Sequence, residues 1–332
     1  MRTLGLVLLI LVALGFDFTN GFHDAANAVA VSITTRALRP LTALGMAAGL
    51  NVVGALVSTK VAATVGSGII AAPTGTLGLV VVFSALVGGI AWNLLTWWFG
   101  LPSSSTHALI GGLIGAAIGS AGQVKWGGVV KKVVIPMAIS PLIGLALGFL
   151  LMIVIFWVFQ RTRPTAVNGF FRRAQIASTS AMAFSHGTQD AQKTMGVITL
   201  ALVVTGHLQG FHVPVWVILS AATAMGIGTL AGGWRVIRTL GQRITRLDPP
   251  RAFAAQTSAS AVLLVSAYAY AIPISSTHLM TSSIMGVGAS RRMSAVRWGV
   301  AQQVALAWIL TIPGAAATAW VVYQAVHALV LG

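Results

Sequence analysis

The side chains of this sequence offer four carboxylates, Asp17, Asp24, Asp190 and Asp248, and no glutamate. Two of them recur in matching surroundings. Asn20-Gly21-Phe22-His23-Asp24-Ala25 answers His186-Gly187-Thr188-Gln189-Asp190-Ala191 at an offset of 166 residues. Both aspartates lie in long apolar stretches, where an ionised carboxylate is costly and marks an ion or substrate pathway. A carboxylate capping a helix end at the membrane interface is the competing role, and the duplication favours function. Asn20, His23 and Asn27 surround Asp24, while His186, Gln189, Gln192 and Lys193 surround Asp190. Glycine and polar residues at that depth predict a broken helix whose free backbone groups bind ions. Imidazole exchanges protons near neutral pH, which makes His23 a candidate proton carrier as well as a candidate structural residue. Lys193 alone among the basic residues lies deep in an apolar segment. It can pair with an aspartate or an anion, or snorkel to the interface.

A second duplicated constellation is rich in hydroxyls. Pro102-Ser103-Ser104-Ser105-Thr106-His107 answers Pro273-Ile274-Ser275-Ser276-Thr277-His278 at an offset of 171. Proline before such a run interrupts a helix and leaves backbone N–H groups free. Those groups and the hydroxyls of Ser105, Thr106, Ser276 and Thr277 can donate to an oxyanion without a permanent positive charge. Serine and threonine there also cap the helices that follow. His107 and His278 are expected to be structural. Lys125-Trp126-Gly127 answers Arg297-Trp298-Gly299, and Pro141 answers Pro313, both at 172. Four anchors in one order at nearly one spacing imply duplication of the whole chain.

The elements that position these residues must lie in a bilayer. Of 332 residues, 57% are hydrophobic and 7% charged, against about 45–50% and about 25% in soluble domains. The apolar runs are continuous, without the alternation of a transmembrane β-barrel. Ten of them lie near 3–34, 41–59, 77–100, 104–120, 129–159, 174–206, 211–232, 252–272, 274–288 and 297–331. An all-α polytopic protein follows, with about 10–12 transmembrane helices at about 20 residues per span. Residues 1–159 form the first repeat, 160–173 a basic connecting loop and 174–332 the second. Five crossings in each half invert the second repeat relative to the first, a signature of secondary transporters. Broken helices or re-entrant hairpins are expected at the centre, with 104–120 and 274–288 the short candidates. Gly111, Gly112, Gly115 and Gly119 suit close helix packing. Asp17 is expected to cap the break in the first helix, and Asp248 to be solvated.

Twenty lysines and arginines give a formal charge of +16. In a soluble protein that would suggest nucleic acid. Here the charges sit in loops, so no nucleic-acid partner is expected. Fourteen arginines, from Arg36 to Arg297, fall in the odd-numbered loops, whereas Arg2, Lys60, Lys125, Lys131 and Lys132 fall on the other side. The bias places the odd loops in the cytoplasm and both termini outside. A cleaved signal peptide is not expected, because the first apolar run continues into the repeated motif. Without cysteine, thiolate sites are excluded.

The stretch Gly15 to Ala30 resembles the first signature of the inorganic phosphate transporter (PiT) family, and Ser185 to Lys193 its second. The hydroxyl turns are also similar to family features, and the resemblance spans nearly the whole chain. It implies a secondary transporter of inorganic phosphate in the cell's inner membrane, a homodimer and not an enzyme. It implies substrate binding by Asp24, Asn27, Ser105, Thr106, Asp190, Gln192, Lys193, Ser276 and Thr277. Coupling falls to Asn20, His23, Asp24, Gln189 and Asp190. Sodium-coupled relatives tend to carry a glutamate in the second span of each repeat, where this sequence offers Asn51 and Gln256. The bacterial proton-coupled branch is therefore the better match, taking phosphate as a neutral complex with a divalent metal such as Mg²⁺, which Asp24 and Asp190 would contact. No resident cofactor is implied. A sulfate permease and a sodium-coupled symporter of the same fold are the alternatives. An intramembrane aspartyl protease is disfavoured, since both aspartates lack the Gly-x-Gly-Asp pattern.

Overall fold

The computed structural model describes residues 2–330, an all-α, multi-pass membrane fold. The chain ends, at Met1 and at Leu331–Gly332, lie outside the described residues. Each of the ten apolar segments is occupied by helix. The first half runs α1 (Arg2–Thr34), α2 (Pro40–Val57), α3 (Lys60–Gly68), α4 (Gly75–Trp98) and α5 (Ser105–Gly119). It ends with α6 (Trp126–Val129), which passes through a π-helical turn into α7 (Ile135–Phe159). The second half runs α8 (Pro164–Val204), α9 (Val215–Ala231), α10 (Trp234–Arg238), α11 (Pro249–Val265), α12 (Ser276–Ala289) and α13 (Trp298–Val330). Two-residue strands at Ile70–Ala71 and Gln123–Val124 pair antiparallel beside α3 and α5.

Among the described residues, six helical stretches are long and apolar enough to cross a membrane, and α9 with the helical stretch Trp234–Arg243 passes the same test only as a pair bent by 60°, the geometry of a broken span or a re-entrant loop. Leu8, Leu142, Leu150, Trp157, Ile309 and Val321 are among the large apolar side chains that face outward, as a bilayer rather than water requires. Prolines open α2, α8 and α11, at positions whose N–H has no helical partner. The stretch 160–173, expected as a connecting loop, is a short turn followed from Pro164 by the first turns of α8.

The two repeats interdigitate. The first half of α1 (Leu6, Leu9, Phe16) shares an apolar core with the second half of α8 (Met195, Ile198, Ala201). The second half of α1 (Ala25, Val29, Val31) shares another core with the first half of α8 (Phe171, Met182, Ala183). The helices therefore run antiparallel, and the polar segments 20–27 and 185–193 lie between the two cores. α1 packs on α9 as α8 packs on α2, and α5 packs on α13 as α12 packs on α7. This reciprocity is the inverted duplication that the repeated motifs imply.

The expected break at the aspartates is absent. α1 and α8 are helical throughout, and the glycines of their motifs serve close approach instead. A Cβ on Gly21 would collide with the Met225 carbonyl in α9, and one on Gly187 with the Asn51 backbone in α2. Gly54 and Gly228 meet the Phe184 and Phe18 carbonyls in the same reciprocal way. The chain is interrupted instead before α5 and α12. Gly100 at φ 65° precedes the first interruption, and Ala271 at φ 51° stands at the second. Gly111 and Gly115 bring α5 against Ile312 and Ala316 of α13. Gly187→Ala should therefore lower stability by about 1–3 kcal/mol through overpacking. Gly45→Ala, which meets open space, should instead gain up to about 1 kcal/mol of helix propensity. Thermal melting in detergent micelles checks both.

Candidate functional site

The polar layer between the two cores is assembled by α1, α8 and the first turns of α5 and α12. Ser104 and Ser275 act as the caps of α5 and α12, accepting from His107 N at 3.2 Å and His278 N at 3.1 Å. Capping by these two residues leaves the next two hydroxyls of each turn free to face the aspartates. Ser105 Oγ donates to Asp24 Oδ2 at 2.8 Å, and its repeat mate Ser276 Oγ donates to Asp190 Oδ2 at 2.9 Å. Lys193 Nζ donates to Thr106 Oγ1 at 2.8 Å and Ser105 Oγ at 3.2 Å. Its repeat mate Asn27 donates through Nδ2 to Thr277 Oγ1 at 2.9 Å and Ser276 Oγ at 3.3 Å. A further cross-repeat bond runs from Thr277 Oγ1 to Asp24 Oδ1 at 3.2 Å. Each hydroxyl turn thus touches both repeats.

The charges are paired inside the layer. Lys193 Nζ lies 2.7 Å from Asp190 Oδ1, and His186 Nε2 lies 2.7 Å from Asp190 Oδ2. His23 Nδ1 lies 2.7 Å from Asp24 Oδ1. Asp24 is 2% exposed, Asp190 0% and Lys193 1%. Lys193 is thus fully buried rather than snorkelling. The groups facing the hydroxyl turns thus include two carboxylates, Asp24 and Asp190, and one amine, Lys193. Ligand atoms of Asp24, His186 and Asp190 lie within 4.8 Å of one another, a spacing that suits one divalent cation.

Three expected site residues make their hydrogen bonds elsewhere. Asn20 reaches Asp17 at 3.5 Å rather than Asp24. Gln189 donates to the Leu263 and Ile272 carbonyls, each at 3.3 Å. Gln192 accepts from Val61 N at 2.7 Å and Ala62 N at 3.2 Å, pinning the start of α3. Asp17 caps no break; it is wholly buried in α1. Asp248 keeps the solvent access expected of it, its side chain 40% exposed, and also caps α11 through Arg251 N at 3.0 Å and pairs with the Arg251 guanidinium. Asn51 sits in α2, bonded to Thr229 at 2.8 Å. Gln256 sits in α11, bonded to Ser178, Thr179 and the Ala28 carbonyl. The two are therefore not repeat mates, and the reciprocal glycine contacts match Asn51 with Met225 instead.

Two features beside the site, the place of Thr96 and the mutual packing of the duplicated His107 and His278, follow only from the fold. Thr96 Oγ1 lies 3.3 Å from His23 Nε2 and 2.7 Å from Ser103 Oγ, extending the polar chain that begins at Asp24. His107 and His278 lie behind the turns with ring centroids 4.8 Å apart, and His278 stacks on Trp308 at 4.1 Å.

An antiparallel pair of repeats enclosing paired carboxylates and hydroxyl turns at membrane depth is the architecture of an inverted-repeat membrane transporter. Comparison with known proteins agrees and goes further. Residues 20–319 match the model of the phosphate transporter family. A probable low-affinity inorganic phosphate transporter of Rhizobium meliloti (strain 1021) is 47% identical, covering 94% of this chain and 93% of that protein. One of Bacillus subtilis (strain 168) is 41% identical, covering 96% of each. A solved structure described as the sodium-dependent phosphate transporter superposes with a TM-score of 0.91 at 23% identity, covering 98% of this chain and all of that one. The chain belongs to the phosphate transporter family.

The pairing predicts strong coupling between Asp190 and Lys193. Lys193→Gln leaves a buried carboxylate without its cation and should cost about 3–5 kcal/mol. Adding Asp190→Asn should restore most of that loss. A double-mutant cycle from thermal melting reads the coupling.

Proposed function

We propose that this chain is a secondary transporter that imports inorganic phosphate with protons. The observation that carries the reading is the convergence of two hydroxyl turns, one from each repeat, on Asp24, Asp190 and Lys193 in a buried layer. An oxyanion between the turns would take hydrogen bonds from Ser105, Thr106, Ser276 and Thr277, with Asn27 as a further donor and Lys193 as the fixed cation. Family membership and relatives described as low-affinity inorganic phosphate transporters support phosphate as the substrate. A carboxylate able to accept a hydrogen bond from the P–O–H group of HPO₄²⁻ favours phosphate over sulfate, which carries no proton at neutral pH. Asp24→Asn should abolish labelled phosphate uptake in proteoliposomes at normal membrane insertion. Ser105→Ala with Thr106→Ala, or Ser276→Ala with Thr277→Ala, should weaken apparent affinity by about 1.5–3 kcal/mol per lost bond to the charged ligand. Near-normal uptake in these variants would remove Asp24 and the turns from the site.

Coupling to protons rests on the layer's chemistry. Lys193 offsets one of the two carboxylates, so a proton or a divalent cation must offset the other before an anion can enter. His23 against Asp24, with Thr96 and Ser103 behind it, supplies a route of titratable and hydroxyl groups. Sodium needs a compact oxygen cage, and imidazole serves it poorly. The divalent cation belongs to the cargo: Asp24, His186 and Asp190 are spaced to contact a metal bridging to phosphate. In this reading access alternates around the layer between the repeats 1–159 and 174–332, the arginine-bearing loops face the cytoplasm and both termini lie outside. The chain works as a homodimer in the inner membrane without nucleic acid. Uptake should rise with an inward proton gradient, collapse with a protonophore, require a divalent metal and ignore sodium. Uptake that follows a sodium gradient at fixed pH and survives the protonophore would refute proton coupling.

A further inference from the structure

We propose that the chain carries a second anion site, away from the central layer, that takes linked phosphate groups. A cavity of about 340 Å³ lies between segments 244–251 and 288–297, lined by Arg246, Arg251, Arg291, Arg292 and Arg297. Asp248 is the one carboxylate beside them, and it is paired with Arg251. The other three aspartates of the chain are buried in α1 and α8. Five arginines thus line one cleft, with a single acid beside it and the Arg297 guanidinium donating to the Gln242 carbonyl.

The positive-inside tendency accounts for arginines in these loops. It does not account for their convergence on one concavity, where like charges repel. An anion bridging them removes that cost, and guanidinium forks match phosphate oxygens two at a time. Charge balance favours two or more linked phosphates over one. The walls are fixed without a ligand. Arg297 N bonds to the Ile244 carbonyl at 2.9 Å, and Thr245 Oγ1 to the Ala295 carbonyl at 3.0 Å. Arg246, Arg291 and Arg292 make no side-chain hydrogen bond or ion pair among the described residues, and all three are exposed. A second arginine-lined cavity, of about 400 Å³, differs here. Its Arg235 is engaged, lying 4.3 Å from the Trp98 ring centroid and donating to the Trp98 carbonyl. The five-arginine cleft also stands at one end of α12, whose other end presents Ser276 and Thr277 to the aspartates.

The linked phosphates can belong to a soluble polyphosphate or to the headgroup of a two-phosphate lipid in the adjacent leaflet. The test uses the full chain in nanodiscs. Tripolyphosphate is titrated in phosphatidylcholine discs in one arm, and cardiolipin replaces part of the phosphatidylcholine in the other, with the melting temperature read in both. At least one probe should stabilise the wild type. The triple variant R246Q/R291Q/R292Q should bind that probe at least about tenfold more weakly, through loss of charge-assisted hydrogen bonds, while keeping phosphate uptake in phosphatidylcholine proteoliposomes. If the triple variant does not fold, R292Q alone should still weaken the probe. A response to tripolyphosphate marks a soluble ligand, and a response to cardiolipin alone marks a lipid. If neither probe stabilises the wild type, or the stabilisation is unchanged in the variant, there is no such site.

Discussion

Carboxylates held at membrane depth must find their partners within the protein, because the bilayer offers none. Asp190 meets this demand within its own repeat, and Asp24 partly from the other. Asp190 has Lys193 and His186 from its own helix and Ser276 from the hydroxyl turn of its repeat. Asp24 has His23 and Ser105, and takes Thr277 from the opposite repeat. The rest of the architecture follows from bringing these groups together. α1 and α8 must cross antiparallel, with apolar cores on either side of the crossing. Glycines must replace side chains where α1 meets α9 and α8 meets α2. The chain must also break before α5 and α12 so that hydroxyls on their first turns can enter from the side.

The pseudo-symmetry of the layer has one consequential exception. Asn27 and Lys193 occupy equivalent places and reach equivalent hydroxyls in the opposite repeat. The ammonium exists only on the second. One carboxylate of the layer therefore has an amine of the protein beside it, and the other has an imidazole and hydroxyls. In the symport proposed here, that asymmetry is what would tie anion entry to a proton or a divalent cation. It also separates the neutral hydroxyls proposed to hold the anion from the charges that set the electrostatics.

Much of this architecture is legible in the amino-acid sequence. The duplicated motifs imply the inverted repeat, and the scarcity of acids singles out Asp24 and Asp190. Other features have no local signature. Thr96 joins His23 only through the fold, and Asn51 finds Thr229 across 178 residues. The glycines of the aspartate motifs suggest a broken helix that the fold does not contain. Close approach and helix breaking both select glycine, and a sequence does not say which is at work; here backbone carbonyls of α9 and α2 occupy the space a Cβ would need. The same limit applies to Asn51 and Gln256, alike in polarity but placed on helices that are not repeat mates. Side chains such as Gln192, polar and next to the site motif, serve instead to anchor a neighbouring helix.

The proposed transport depends most on a single anion being held by both repeats at once. A cryo-electron microscopy structure of the chain with phosphate bound tests this directly. Density for phosphate should lie between the two hydroxyl turns, within hydrogen-bonding reach of Ser105 or Thr106 on one side and Ser276 or Thr277 on the other, with Lys193 adjacent. Phosphate seated on one turn alone, or remote from both aspartates, would contradict the shared site on which the proposed transport cycle is built.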